Sequence, residues 1–197
     1  MRALVYVAPE SVKMQERPRP MLRAGEEEIR VEMSGICGSD MSGFLGHSPR
    51  RKPPLTLGHE LVGRLRDGRR VVANPLMSSG KCIQCLSGAQ NLCECWGCWV
   101  LTVPKALSRN TLLFREANFT AFPMISASAR AVMTEPLANV VHLFRIGAPQ
   151  PFFRLAIVGA GTMGALAVLV AQLIGAKDML ASLQAPHGYP HQDPRRR

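Results

Sequence analysis

Two short segments carry residues able to hold a metal ion. Gly35-Ile36-Cys37-Gly38-Ser39-Asp40 offers a thiolate between glycines that let the backbone approach closely, with a hydroxyl and a carboxylate next to it. Gly58-His59-Glu60 offers an imidazole beside a second carboxylate. Sulfur, nitrogen and oxygen donors of this kind suit Zn²⁺, and three protein ligands with one open position make a site of the catalytic kind. Alone, each piece is weak. A single cysteine is most often a buried hydrophobe, and a His-Glu pair is most often surface. Their joint occurrence is far more specific.

A second cluster follows. Five of the six cysteines, Cys82, Cys85, Cys93, Cys95 and Cys98, fall in one short stretch. The opening Met1-Arg2-Ala3-Leu4-Val5-Tyr6-Val7 is too short for a secretory signal core, and Pro9 and Glu10 follow it. A cytoplasmic protein that binds metal through these cysteines is therefore expected before a disulfide framework. A third motif is Gly159-x-Gly161-x-x-Gly164, which follows an apolar run and opens a helical one. That context is what a dinucleotide site requires, with backbone N–H groups at the helix start facing a pyrophosphate. Without the context, GxGxxG is only a tight turn.

The elements that must position these residues differ between the two halves. In the first, Ile29, Val31 and Met33 alternate with Glu28, Arg30 and Glu32, the pattern of a half-buried strand. Residues 61–65 and 70–73 flank Asp67-Gly68 and read as a hairpin, while Pro53, Pro54 and Pro75 break the connections. In the second, Thr134 can cap a helix opening with Glu135 and Pro136, and Leu137, Val140, Val141 and Phe144 form its apolar face. Residues 152–158 then read as a short buried strand, and residues 162–174 as an apolar helix stopped by Gly175. The expected fold is α+β followed by the opening of a parallel α/β unit. Residues 155–176 carry no charge and are long enough to span a bilayer, but Gly159, Gly161 and Gly164 favour the soluble strand–turn–helix reading.

The formal charge of +10 is high for 197 residues. Basic residues gather at Arg50-Arg51-Lys52, from Arg64 to Arg70, and at Arg195-Arg196-Arg197. These clusters are short, far apart and not interleaved with aromatics, so a basic surface is expected and no nucleic-acid partner.

With these segments in hand, the sequence resembles the zinc-dependent medium-chain alcohol dehydrogenases, and within them the sorbitol (polyol) dehydrogenase type. GICGSD, LGHE, VVANPL, GKCIQC with NLC, EPLANVVH and IVGAGTMG run in family order as far as about Ser182. The resemblance implies a GroES-like β-rich catalytic domain followed by the start of a Rossmann fold. It implies hydride transfer between an alcohol or polyol and NAD or NADP, with Zn²⁺ activating the alcohol. Homo-oligomers are the family habit, and no membrane partner is implied.

The same resemblance carries roles over by position. Cys37 and His59 match ligands of the catalytic zinc; Glu60 matches a glutamate beside the metal that can ligate it. Glu135 matches the further acidic ligand. Ser39 matches the hydroxyl that relays the alcohol proton, and Asp40 the carboxylate that orients the zinc histidine. Gly159, Gly161 and Gly164 match the cofactor loop. Ser42 stands where many relatives carry a relay histidine, and His47 is a nearby substitute. Cys82, Cys85 and Cys93 fit three of the four cysteines of the family's structural zinc, C-x2-C-x2-C-x7-C, while Ser79 stands at the first. A serine hydroxyl is a poor zinc ligand, so altered occupancy is expected, with Cys95 or Cys98 as alternative fourth ligands. Leu183 stands where the ribose-reading acid belongs, about 20 residues after the glycines, and Asp178 comes too early.

Two stretches leave the pattern. Between about Glu94 and Ala129 the expected family strands are missing, and after Ser182 the chain turns to Gln-Ala-Pro-His-Gly-Tyr-Pro-His and a basic end. Frameshifts in the underlying gene would produce both. The expected organisation is a zinc-binding catalytic domain over 1–150, a partial dinucleotide-binding domain over 151–183 and a basic tail over 184–197. The expected function is that of the family's oxidoreductases. The alternative is a non-catalytic zinc-binding fragment. A nucleic-acid-binding zinc knuckle leaves Cys37, His59, Glu135 and the glycine fingerprint unexplained.

Overall fold

The structure, a computed structural model, describes residues 2–17, 22, 24–98, 112–115, 119–121 and 127–182. It divides into two compact units, Met1–Glu135 and Pro136–Arg197.

The first unit is built on a five-stranded antiparallel sheet. Its strands are β3 (Glu26–Ser34), β4 (Leu61–Arg64), β5 (Arg70–Ala73), β8 (Leu112–Arg115) and β9 (Phe119–Ala121), in the order β8-β3-β4-β5-β9. A separate hairpin, β1 (Arg2–Ala8) with β2 (Ser11–Glu16), is tied to the unit through reciprocal backbone bonds between Tyr6 and Leu55 at 2.7 and 3.0 Å. Side chains alternate across a strand, and both faces of the central strands are covered. Leu61, Leu65, Val71 and Ala73 join Tyr6, Ile29 and Leu55 in one core, whereas Val62 and Val72 pack with Ala131 and Val132 in another. That is why β5 is buried throughout.

The predicted hairpin around Asp67-Gly68 is present as β4 and β5. The alternation predicted for β3 holds only in part. Ile29 is buried, but Met33 is exposed and Glu28 is buried, paired with Arg66 at 2.6 Å. A bulge between Val31 and Met33 breaks the register against β4, as bulges do when they re-aim a side chain. Glu32, at the bulge, reaches Arg64 at 2.5 Å, Arg70 at 3.4 Å and the hydroxyl of Ser128 at 3.0 Å. The basic run from Arg64 to Arg70 is thus drawn into ion pairs with Glu28, Glu32 and Asp67.

The stretch that leaves the family pattern supplies two strands to this sheet. β8 pairs with β3 and β9 with β5, closing both sides of the sheet. Backbone pairing partners were already waiting on both edges, and period-2 patterning in the segment is too short to announce it.

A small lobe grows from the sheet's end. β6 (Leu76–Met77) pairs with β7 (Gly97–Cys98) at its base. A one-turn helix α2 (Ile83–Leu86) and a 3₁₀ turn at Gln90–Leu92 lie between. Short helices follow: α1 (Gly38–Phe44) after β3, and α3 (Ser128–Ala131) after β9.

The second unit contains most of helix α4 (Thr134–Gly147), then β10 (Arg154–Val158), α5 (Thr162–Leu173) and β11 (Asp178–Ser182). β10 and β11 pair in parallel, and α5 packs on both through Leu166, Ala167, Val170 and Ala171. Thr134 is the first helical residue of α4 rather than its cap. The strand predicted as buried over residues 152–158 is corrected on two counts. It begins at Arg154, because Phe152 adopts a left-handed conformation (φ 60°) in a turn. It alternates in exposure, and Val158 is 83% exposed, because one helix covers the described two-stranded sheet. The apolar run 155–176 resolves into strand, turn and a 12-residue helix, and no described helix is long and apolar enough to cross a membrane. Asp178 opens β11, as expected, and Leu183 lies outside the described residues.

Candidate metal centre

The first site is a product of strand pairing. β3 and β4 run antiparallel with Ser34 opposite Leu61, so the residues leaving β3 lie beside those entering β4. The Gly35 N–H donates to the Glu60 carbonyl at 2.7 Å and locks the two segments together. Cys37 then starts α1, and His59 and Glu60 lead into β4. Ligand atoms of Cys37, His59 and Glu60 all lie within 4.8 Å of one another, with His59 and Glu60 buried. Gly35 leaves room for the Glu60 carboxylate, which a Cβ at this position would push aside.

Asp40 braces the centre. It sits at the third position of α1 and accepts the N–H of Cys37 and that of Gly58, each at 3.2 Å. The first bond is half of a capping arrangement that fixes the helix start. The same carboxylate faces Nδ1 of His59 at 3.4 Å, an ion-pair contact short of hydrogen-bond geometry. Burial works against the charge on Asp40, yet His59 and the two N–H groups hold its carboxyl below the ordinary range. Burial likewise pulls the His59 imidazole down. The Asp40 carboxylate reverses this, with help from Cys37 and Glu135, and leaves His59 pushed up to about 9.

Glu60 is displaced the other way. Burial raises its carboxyl, and the nearby charges of Glu135 and Asp40 raise it further against the pull of His59 and Cys37. Glu135, in the first turn of α4, is outside the tight trio but close enough to act on both His59 and Glu60. The donor set fits zinc: one sulfur, one nitrogen and carboxylate oxygens, with His59 and Glu60 buried and Cys37 partly exposed.

Sequence reasoning missed Arg51. Its guanidinium donates from Nη2 to the Ser39 hydroxyl at 2.9 Å and places Nε 3.6 Å from Oδ1 of Asp40. Its side chain is only 12% exposed. In the sequence it is one of three adjacent basic residues, and nothing marks it as inward-facing. His47 is exposed on the turn after α1.

The second cluster occupies the small lobe. Ligand atoms of Cys82, Cys85 and Cys93 lie within 4.8 Å of one another, and the sulfurs of Cys82 and Cys85 are 3.5 Å apart. The Ser79 hydroxyl is 3.5 Å from the Cys93 sulfur and 3.7 Å from that of Cys85, and the Ser79 N–H donates to Cys93 at 3.3 Å. Backbone N–H groups of Cys85 and Glu94 pull the Cys82 thiol down to about 6. The Ser79 hydroxyl and N–H lower the Cys93 thiol. The alternative fourth ligands do not join. Cys95 is exposed, and Cys98, on β7, packs against the main core.

In the second unit the fingerprint glycines form the turn between β10 and α5. Gly159 has φ +93°, and a Cβ on Gly164 would collide with the Gly159 carbonyl. Gly161 is the N-cap of α5. The turn can be this tight only with glycine at 159 and 164.

Residues 23–123 match the sequence profile of the alcohol dehydrogenase GroES-like domain. The chain belongs to this family. A zinc-type alcohol dehydrogenase-like protein of Haemophilus influenzae is 29% identical over 93% of this chain and 56% of its own length. A probable D-xylulose reductase A of Aspergillus clavatus is 33% identical over 86% of this chain and 51% of its own. A crystal structure of the dehydrogenase RspB of Escherichia coli CFT073 with NADH superposes with a TM-score of 0.83 at 27% identity, covering 92% of this chain and 56% of that one. The chain spans about half the length of the curated relatives it matches. Its fold is the family's GroES-like β-rich domain followed by the start of a Rossmann fold.

Proposed function

We propose that the chain belongs to a zinc-dependent oxidoreductase that moves hydride between an alcohol or polyol and NAD or NADP. The observation that carries this reading is the convergence of Cys37, His59 and Glu60 within 4.8 Å on buried ground. Cys37, His59 and Glu60 would hold the ion, with Glu135 as a further acidic ligand. Zinc there would supply Lewis-acid polarisation of an alcohol oxygen, and the nicotinamide would accept the hydride. Asp40 occupies the Nδ1 side of His59 and leaves Nε2 as the coordinating nitrogen. Ser39 moves the proton. A hydroxyl has one hydrogen and two lone pairs, and Arg51 takes one lone pair. The other can accept the alcohol's proton while the hydroxyl's own hydrogen passes to solvent water, since Arg51 has no lone pair to receive it. Arg51 also fixes the hydroxyl's direction. Gly159, Gly161 and Gly164 would admit the pyrophosphate to the start of α5.

The functional division we propose is a catalytic domain over 1–150, a dinucleotide-binding portion over 151–183 and a basic tail over 184–197. A cytoplasmic setting agrees with six unbridged cysteines. The partner is a small alcohol or polyol, in keeping with the D-xylulose reductase among the chain's relatives, with neither nucleic acid nor membrane involved.

A second reading is a zinc-binding fragment without catalysis. It is favoured by the exposure of Val158 (83%), Leu180 (73%) and Leu173 (86%) in the second unit. One experiment separates the two. Zinc content is measured on the full chain alongside NADH fluorescence titration and NAD⁺-dependent oxidation of a panel of polyols and secondary alcohols. Zinc, NADH binding and turnover together support the oxidoreductase. Zinc without NADH binding supports the fragment, and a chain that takes up no zinc at Cys37 and His59 contradicts both.

A further inference from the structure

The small lobe invites a closer count of hydrogen bonds. The Ser79 hydroxyl occupies the corner of the Cys82–Cys85–Cys93 cluster where a fourth donor belongs. It accepts the N–H of Lys81 at 3.2 Å and that of Cys82 at 3.4 Å. Those two bonds engage both lone pairs of a serine oxygen. The Cys93 thiol directs its own hydrogen at the same oxygen at 3.5 Å, and the serine hydrogen is within reach of the Cys85 sulfur at 3.7 Å. Ser79 therefore has nothing to give a metal ion. It acts as a hydrogen-bond cap that shapes the turn and steadies the thiolates.

The three sulfurs remain free to ligate. Cys85 and Cys93 are buried, and Cys82 is partly exposed. Neither Cys95 nor Cys98 joins the trio. A closed structural zinc site needs four protein ligands, whereas three protein ligands leave a coordination position for an outside molecule. We propose that the lobe is an open three-thiolate metal site. It takes a thiophilic divalent cation whose fourth position is filled by an exchangeable ligand from solution, water or a small thiol. The lobe thereby differs from a closed fold-stabilising clasp in chemistry as well as in affinity. The inference does not rest on the reading of the Cys37 site.

The test uses the full chain carrying Cys37→Ala, so that thiolate signals come from the lobe. The protein is loaded with Co²⁺ as a spectroscopic probe, and 2-mercaptoethanol is titrated in. Three-thiolate Co²⁺ with an open position gains intensity in the near-ultraviolet sulfur-to-metal band as the added thiol binds, in a saturable way. Ser79→Cys in the same background starts at the higher intensity, does not respond to added thiol, and binds Zn²⁺ about a hundredfold tighter or more, one thiolate's share of a structural site. Ser79→Ala keeps the three-thiolate spectrum and the thiol response, because it removes no ligand. The proposal is overturned if the lobe takes up no Co²⁺, or if its spectrum ignores added thiol. It is also overturned if Ser79→Ala abolishes metal uptake while the chain remains folded by circular dichroism. The thiol titration on the Cys37→Ala chain decides the matter even if the Ser79 variants do not fold. Loss of zinc from Cys37 and His59 would leave this result untouched, so the two readings fail separately.

Discussion

Asp40 works in two directions, toward the start of α1 and toward His59. Replacing it with asparagine keeps the size and removes the charge. Partners of this kind are worth 10- to 100-fold in metal affinity, so Asp40→Asn is expected to weaken zinc at the Cys37 site by about that factor in a chelator competition. Arg51→Ala is expected to cost about 1–3 kcal/mol of stability in denaturant titration, because it strips a buried guanidinium from Ser39 and Asp40. Arg51→Lys should not restore the wild-type value, since one ammonium cannot match the fork that spans both partners. The histidine supplies a pH prediction. In the metal-free chain its folded pKa of about 9 lies above the unfolded value of about 6.5. A raised folded pKa means the folded state holds the proton more tightly. The resulting stability is fully present below about pH 6.5 and is lost as pH rises through about 9, at most about 3 kcal/mol. Thermal melts in a chelator should show that decline. Cys37, His59 and Glu60 were legible from residue type and spacing, and Asp40 from the family resemblance. Arg51 was not, because burial of a basic residue depends on which acid the fold brings to it.

At the scale of elements, backbone pairing does the positioning. The hairpin of β4 and β5 was readable because turn chemistry is local: Asp67-Gly68 sits between two apolar runs. β8 and β9 were not readable. Their identity depends on the open edges of β3 and β5, which no window of a few residues contains. The glycine turn before α5 was legible for the opposite reason, since its steric demand is written in Gly159 and Gly164. Gly164→Val would push a side chain into the Gly159 carbonyl. It is expected to abolish any NADH binding by the chain in fluorescence titration, while zinc at Cys37 and His59 is unchanged. Gly35→Ala should do the reverse, because its Cβ would displace Glu60. Zinc content should fall and the second unit's far-ultraviolet signal persist.

For the whole molecule, the two units differ in how well their apolar residues are covered. The first buries both faces of its central strands, while the second leaves Val158, Leu173 and Leu180 exposed. Exposed apolar area of this kind promotes association. Val158→Thr with Leu180→Thr is expected to reduce concentration-dependent self-association in size-exclusion chromatography, without changing zinc content. The split into a β-rich domain and a strand–turn–helix unit was visible in the change of hydrophobic period. An apolar run reads as buried whether or not a partner lies against it, which is why residues 152–158 read as a buried strand. The central claim concerns the first unit: Cys37, His59 and Glu60 hold one ion. Zinc per chain should be measured on the wild type and on Cys37→Ala with His59→Ala, each reconstituted and dialysed alike. The account predicts that the double variant carries one zinc fewer per chain. Equal zinc in the two folded proteins would contradict it.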